Sequence, residues 1–213
     1  MAQEMDLKAL EKKAWTSYFD DGLLDITAGL FILSFGIGMT TRFNYLTALS
    51  WMVVFLFAAA KKSITLPRVG LVKFNPEREN RMKKETSFYV LFFIMTAFLG
   101  LVFFLAMVVG IPQSLKTIVG SLALITYELI MGVGLCFVAY WKQIRRFYAY
   151  GVLVFILTFA VAFLDISVTE HIFFSAAYQF IISGTVILIV GLVVLAQFLR
   201  KYPQAEGRDY VVQ

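Results

Sequence analysis

Six long apolar runs constrain this chain more than any other feature of its sequence. They cover residues 22–40, 43–60, 88–110, 116–140, 147–165 and 175–199, and each is bounded by charged residues, proline or polar clusters. A helix of roughly 20 apolar residues spans the hydrocarbon core of a bilayer. Hydrophobic residues make up 60% of the 213 positions, which is more than a soluble domain of this size buries. The sequence therefore predicts an all-α integral membrane protein with six transmembrane helices.

The distribution of positive charge predicts the orientation of these helices. All of the 19 Lys and Arg except Arg42 and Lys116 lie before the first run, between the second and third, between the fourth and fifth, or after the sixth. Lys and Arg concentrate in cytoplasmic connections. We therefore expect a multi-pass membrane protein with both termini and the basic loop 61–86 in the cytoplasm, where the cations attract anionic lipid headgroups. Because this bias accounts for the basic charge, no nucleic-acid partner is predicted.

Three regions follow from this topology. Residues 1–21 predict an amphipathic helix on the cytoplasmic surface, because apolar side chains recur on one helical face and charges lie elsewhere. These apolar residues are Leu7, Leu10, Ala14 and Tyr18. Residues 22–200 form the predicted six-helix membrane domain, and 201–213 a cytoplasmic tail. Inside the basic loop, Pro67 and Pro76 interrupt an alternating apolar pattern, which predicts a short extended segment over residues 63–77.

Small residues at heptad spacing mark two helix faces. Gly22, Gly29 and Gly36 recur in the first run, and Ala177, Gly184 and Gly191 recur in the sixth. Small residues let two membrane helices approach closely, which matters because hydrophobicity does not drive association inside lipid. We predict that the first and sixth helices pack together along these faces. Gly132 is predicted to serve the same purpose in the fourth helix.

The two halves of the chain show a weak likeness. The first run contains Asp25-x-x-x-Gly29 and the fourth contains Glu128-x-x-x-Gly132, while RFNYL at Arg42 resembles RFYAY at Arg146. A repeat of three helices would have inverted topology, as many transporters do. The third run has no good match in the sixth, so chance resemblance is the alternative.

Glu128 lies at the centre of the fourth run. An acidic residue there costs around 3 kcal/mol on insertion, which the surrounding Leu and Ile offset. The six runs contain no Lys or Arg apart from Lys116, at the very edge of the fourth. One interpretation is therefore a protonated acid that donates a hydrogen bond to a hydroxyl or a carbonyl. The other is an ionised carboxylate compensated by a proton pathway, a metal cation or an amine substrate.

The candidate binding residues are polar side chains near this acid, together with one in the sixth run. They are Glu128, Tyr127, Thr126, Ser121 and Ser183. Catalysis is not expected, because the runs contain no second acid or histidine at the depth of Glu128. A cofactor or metal is not expected either, since Cys136 is alone and His171 is a single nitrogen ligand beside Asp165 and Glu170.

Three further acids, Asp20, Asp21 and Asp25, lie where the first run meets the cytoplasm. A carboxylate at that depth is close to water, so its cost is low. We expect these acids to have a structural role in which they pair with Lys or Arg of the 61–86 loop.

Two functions fit these features. The first is a small transport component, either a permease or the membrane subunit of a transporter, that moves a proton-linked, cationic or amphipathic solute past Glu128. An ATPase subunit would then be a separate partner, because no phosphate loop is present. The second is a non-catalytic accessory or scaffold protein that binds another membrane protein or forms a homo-oligomer. A water-accessible cavity at Glu128 would distinguish transport from scaffolding.

Overall fold

The structure of the chain is a computed structural model that describes most of the apolar runs. It covers residues 18–41, 45–69, 84–92 and 112–163, then 172–203, together with 94, 95, 97, 98, 101, 102 and 105. The described residues are almost entirely helical and include no strand. Residues 1–17 of the predicted amphipathic helix 1–21 and most of the 201–213 tail lie outside the described residues, as do residues 70–83 of the basic loop.

Seven helices are labelled in chain order. They are α1 (Leu23–Thr40), α2 (Tyr45–Ala60), the short α3 (Leu66–Val69), α4 (residues 84–92), α5 (Gln113–Lys142), α6 (Arg145–Phe163) and α7 (Ile172–Lys201). Within the described residues, three stretches are long and apolar enough to cross a membrane: Leu23–Thr40, Ile118–Lys142 and Ser175–Lys201. The chain is therefore an all-helical protein with the features of a membrane protein.

The described residues fall into two compact units. The first lies within Met1–Val72 and Phe180–Gln213, and the second within Lys73–Gln179. Helix α7 contributes its residues up to Gln179 to the second unit and those from Phe180 onward to the first.

In the first unit, α1 packs against α2 and against the later part of α7. The contact between α1 and α7 is so close that glycine is required. A Cβ atom added to Gly29 would lie 2.6 Å from the backbone nitrogen of Leu188, and one added to Gly184 would lie 2.5 Å from that of Leu33. These are the two helices and the glycine faces whose pairing the heptad spacing predicts.

Two more glycines complete this contact near the start of α1. Gly22 has φ of 76°, a left-handed conformation that glycine adopts without strain. Its added Cβ would lie 2.5 Å from the carbonyl oxygen of Gly191, and a Cβ on Gly191 would lie 2.7 Å from the nitrogen of Ile26. Gly36 is buried farther along α1. The α1–α7 contact therefore runs from Gly22 to at least Leu33.

The chain does not become extended after α2. It continues as a π-helical stretch over Lys61–Thr65 and then as α3, so the prediction of an extended segment beginning at residue 63 is wrong for the part described. Lys61 and Thr65 are four residues apart, share one face and both contact Asp21. This tertiary contact, made some 40 residues away in the chain, overrides the local signal of Pro67.

In the second unit, α5 and α6 form a tight helical hairpin. The turn is made at Gln143, which has φ of 58° and donates its backbone N–H to the carbonyl of Ala139, the usual closure of a helix C-terminus. A Cβ on Gly151 would lie 2.5 Å from the sulfur of Cys136, and one on Gly132 would lie 2.7 Å from the ring of Phe155. Glycine thus allows close approach from both sides of this hairpin.

Candidate functional site

Glu128 is buried in the second unit. Its exposed fraction is 3%, as is that of Thr158 on α6, and the two side chains form a hydrogen bond. The Thr158 hydroxyl also donates to the carbonyl oxygen of Val154, at 3.0 Å. The Thr158 hydroxyl therefore lies within hydrogen-bonding reach of both the Val154 carbonyl and the Glu128 carboxyl group.

A small cavity adjoins Glu128. Its volume is about 20 Å³, enough for one water molecule. Helix α5 contributes Leu124, Ile125 and Glu128, helix α6 contributes Thr158 and Val161, and helix α7 contributes Ala176 and Gln179. Gln179 is 8% exposed, so three buried polar side chains from three helices meet around a space the size of a water molecule.

The cavity does not contain the other residues that the sequence singles out around Glu128. Thr126 and Tyr127 are rotated from Glu128 by about 200° and 100° around α5, and the Thr126 hydroxyl donates to Leu122 O at 2.7 Å. Ser121 lies two turns earlier, about 10 Å along the helix. Ser183 is buried in the first unit, where its hydroxyl donates to Phe180 O. Thr158 and Gln179 take the places that these four residues were predicted to fill.

A second buried polar cluster lies in the first unit, at the start of α1. The Lys61 ammonium lies 2.6 Å from Oδ2 of Asp21, with 6% and 0% of the two side chains exposed. The Thr65 hydroxyl donates to the same oxygen, and Lys61 also donates to the carbonyl of Tyr18. The other carboxylate oxygen accepts the N–H of Leu23, the first residue of α1, at 3.1 Å. Both carboxylate oxygens of Asp21 are therefore used, which offsets the cost of burying the charge.

Aromatic rings close this cluster around Lys61. The ammonium nitrogen lies 4.1 Å from the ring centre of Tyr18 and 5.0 Å from that of Phe19, distances at which a cation is attracted to a ring face. Burial, and then the Asp21 carboxylate, raise the pKa of the Tyr18 phenol above its ordinary value. The phenol therefore stays neutral at physiological pH.

The structure corrects the expected environment of the three acids of the first run. Asp20 is exposed, but Asp21 and Asp25 are fully buried, not placed at a wet interface. The expected pairing with a lysine of the 61–86 loop is found in Asp21 and Lys61. Asp25 lies against Gly191 at the α1–α7 contact, because the glycine leaves room for it.

An ion pair that the sequence analysis did not predict joins α4 to α5. Glu85 Oε1 lies 2.7 Å from the Lys142 nitrogen, with both side chains mostly buried. Beside it, the rings of Phe88 and Phe137 pack with their centres 4.4 Å apart. Lys142 lies in the last turn of α5, where the helix dipole favours a positive charge.

Comparisons with known protein families, curated proteins and solved structures found no match to this chain.

Proposed function

We propose that the protein is a small membrane transport component, a permease or the membrane subunit of a transporter, whose central acid Glu128 exchanges a proton as it moves a proton-linked or cationic solute. The observation that carries this proposal is the cavity where Glu128, Thr158 and Gln179 meet. Buried acids inside membrane helices are costly and mark proton and ion paths. Sealing helices together would not require an empty space of this size beside the acid.

The proposed architecture has six spans. Three are the helices described above as able to cross a membrane, and the others would be α2, the helix that includes α4, and α6. Large apolar side chains on these three are exposed, as lipid-facing residues would be: Met52, Phe55, Leu56, Leu91, Met95, Phe98, Val152, Ile156 and Phe159. Phe55 is 76% exposed, which water would disfavour but lipid would not. A three-plus-three inverted repeat remains a hypothesis for this arrangement.

Contacts inside each unit support the proposed orientation. In the first unit, the Asp21–Lys61 pair and the Gly22–Gly191 contact join the start of α1 to the ends of α2 and α7. In the second, Glu85–Lys142 joins the start of α4 to the end of α5. These are the ends that the charge distribution assigns to the cytoplasm. The cavity residues of α6 and α7 lie toward the opposite ends of those helices, so the route to Glu128 would be shorter from the non-cytoplasmic side.

Cysteine labelling tests this orientation. In a Cys136→Ala background, single cysteines at the exposed positions Lys62, Gln143 and Arg200 should react only with a reagent applied from the cytoplasmic side, and a cysteine at the exposed Ser114 only from the other side. The proposed topology places the first three after even-numbered spans and Ser114 before the fourth. Labelling of Ser114 and Gln143 from the same side would contradict the crossing of α5, and reversed labelling of all four would contradict the orientation.

Proton flux tests the role of Glu128. In proteoliposomes with an imposed pH gradient, the wild-type chain should carry protons, and Glu128→Gln should reduce the flux to that of protein-free vesicles because an amide cannot exchange a proton. Thr27→Val is the matched control, since the Thr27 hydroxyl donates to Leu23 O within its own helix and lies in the first unit. Equal flux for wild type and Glu128→Gln would refute the proposal.

The second candidate function is an accessory or scaffold protein that binds another membrane protein or assembles with itself. The observation that favours it is the small size of the Glu128 cavity, which among the described residues leaves room for a water-sized particle only. In that case Glu128→Gln would be tolerated in every assay, because an amide also donates a hydrogen bond to Thr158. The proposed partners are the bilayer with its anionic headgroups and, for transport, a second copy of the chain or an ATPase subunit.

A further inference from the structure

We infer that the cavity at Glu128 is a binding site for a monovalent cation no larger than a water molecule. The statement that this cation is the transported ion or the coupling ion rests on the proposed function. The binding site itself stands on the geometry of the cavity.

Three side chains offer oxygen atoms to the cavity. Glu128 offers carboxylate oxygens, Thr158 a hydroxyl oxygen and Gln179 an amide oxygen, and these side chains come from three different helices. Oxygen atoms of carboxylate, hydroxyl and amide groups are the ligands that hard cations prefer. Nitrogen and sulfur ligands of the kind that transition metals need are missing among the described residues that line the cavity. The donor set therefore suits an alkali-metal or ammonium ion.

The charge of the cavity favours a monovalent ion. Among the described residues that line the cavity, Glu128 is the only ionisable one, since those from α6 and α7 are Thr158, Val161, Ala176 and Gln179. One carboxylate neutralises one positive charge. A divalent cation would leave a net charge in a buried site, which is strongly unfavourable. The site therefore takes a monovalent ion.

The size of the cavity and the position of one proton favour a small cation. A volume of about 20 Å³ admits a particle the size of water and excludes an organic amine such as choline. The Thr158 hydroxyl directs its proton to Val154 O, so the lone pairs of its oxygen remain available. These lone pairs can therefore contact a cation. A cation bound to the Glu128 carboxylate takes the place of the carboxyl proton, so the exchange is electroneutral: the O–H bond of the protonated carboxyl group breaks and the proton leaves to water.

Thermal unfolding of the purified full chain in detergent tests the site. At constant ionic strength, replacing choline chloride with NaCl, KCl or NH4Cl should raise the unfolding midpoint for at least one of these ions, because a ligand that binds the folded state stabilises it. The apparent Kd should rise about tenfold for each unit fall in pH over the range in which Glu128 is protonated, the slope expected when one proton competes with one cation. The three salts distinguish which monovalent ion fits.

Two variants and a control complete the test. Glu128→Gln should remove the cation effect, and Thr158→Val should weaken the apparent affinity about ten- to a hundredfold, the loss expected for one contact to a charged group. Thr27→Val should leave it unchanged. Stabilisation by choline or CaCl2 equal to that by the small monovalent ions would overturn the inference, as would an unchanged midpoint in all three salts. Cation binding without proton flux would instead contradict only the transport function, and flux without any cation effect would contradict only this site.

Discussion

Gly29→Ala is expected to destabilise the protein, although alanine is the better helix former by about 1 kcal/mol. The added methyl group would lie 2.6 Å from the backbone nitrogen of Leu188 and 2.8 Å from its Cα, so a flexible side chain could not move aside to relieve the clash. Overpacking of this kind costs about 1–3 kcal/mol. Gly29→Leu should prevent α1 and α7 from meeting at all. The measurement is the midpoint of thermal unfolding in detergent, together with the yield of monodisperse protein.

Gly134→Ala is the matched control for this prediction. The substitution is the same and also lies within a helix, but the nearest atom to the added carbon is 3.4 Å away, at the tip of the Phe92 ring. This is an ordinary contact, so we expect an unchanged or slightly higher midpoint. If Gly29→Ala and Gly134→Ala behaved alike, the close contact between α1 and α7 would be contradicted.

Lys61→Met is expected to cost about 3–5 kcal/mol of stability, because it leaves the fully buried carboxylate of Asp21 without its cation. Methionine keeps the length and apolar character of the side chain among the rings of Tyr18 and Phe19, so the loss would come from charge. The free energy of unfolding in a graded denaturant series measures it.

A double variant separates this charge effect from packing. Adding Asp21→Asn to Lys61→Met should recover much of the stability, because no unpaired charge remains and the side-chain oxygen of the new asparagine still accepts the N–H of Leu23. Lys62→Met is the control, since Lys62 is the exposed neighbour and should be neutral. An additive cycle, in which the double variant loses the sum of the two single losses, would mean that Asp21 and Lys61 do not interact.

The long helices could be predicted because each corresponds to a long apolar run in the sequence. Predicted bounds of 22–40, 116–140 and 175–199 correspond to α1, α5 and α7 within a few residues. The α1–α7 pair was accessible for the same reason: Gly29 and Gly184 belong to small-residue stripes, and two such stripes suit one another in lipid. The apolar runs and the small-residue stripes are both local patterns, so they can be recognised in one sequence.

The polar contacts were less predictable because they depend on which helices meet. Thr158 and Gln179 are polar residues in mostly apolar helices. Nothing in the sequence indicates that these two, and not the other polar residues of their helices, line the cavity at Glu128. Lys61 follows an apolar run and was therefore predicted to lie in a loop. Its burial could not be predicted, because it depends on a contact with Asp21, 40 residues earlier in the chain. Helical periodicity shows which face of a helix a residue lies on. Which other helix packs against that face depends on the tertiary structure.

The most direct test of the central claim is infrared spectroscopy of the Glu128 carboxyl group. In wild-type protein minus Glu128→Gln difference spectra, we expect the C=O band of a protonated carboxylic acid, because Glu128 is buried and no cationic side chain is among the described residues that line its cavity. On transfer to D2O this band should shift, since the cavity lets water exchange the proton. A band that stays unshifted in D2O would show an acid sealed between helices and would contradict a transport role, and the absence of any such band would contradict the protonated form itself.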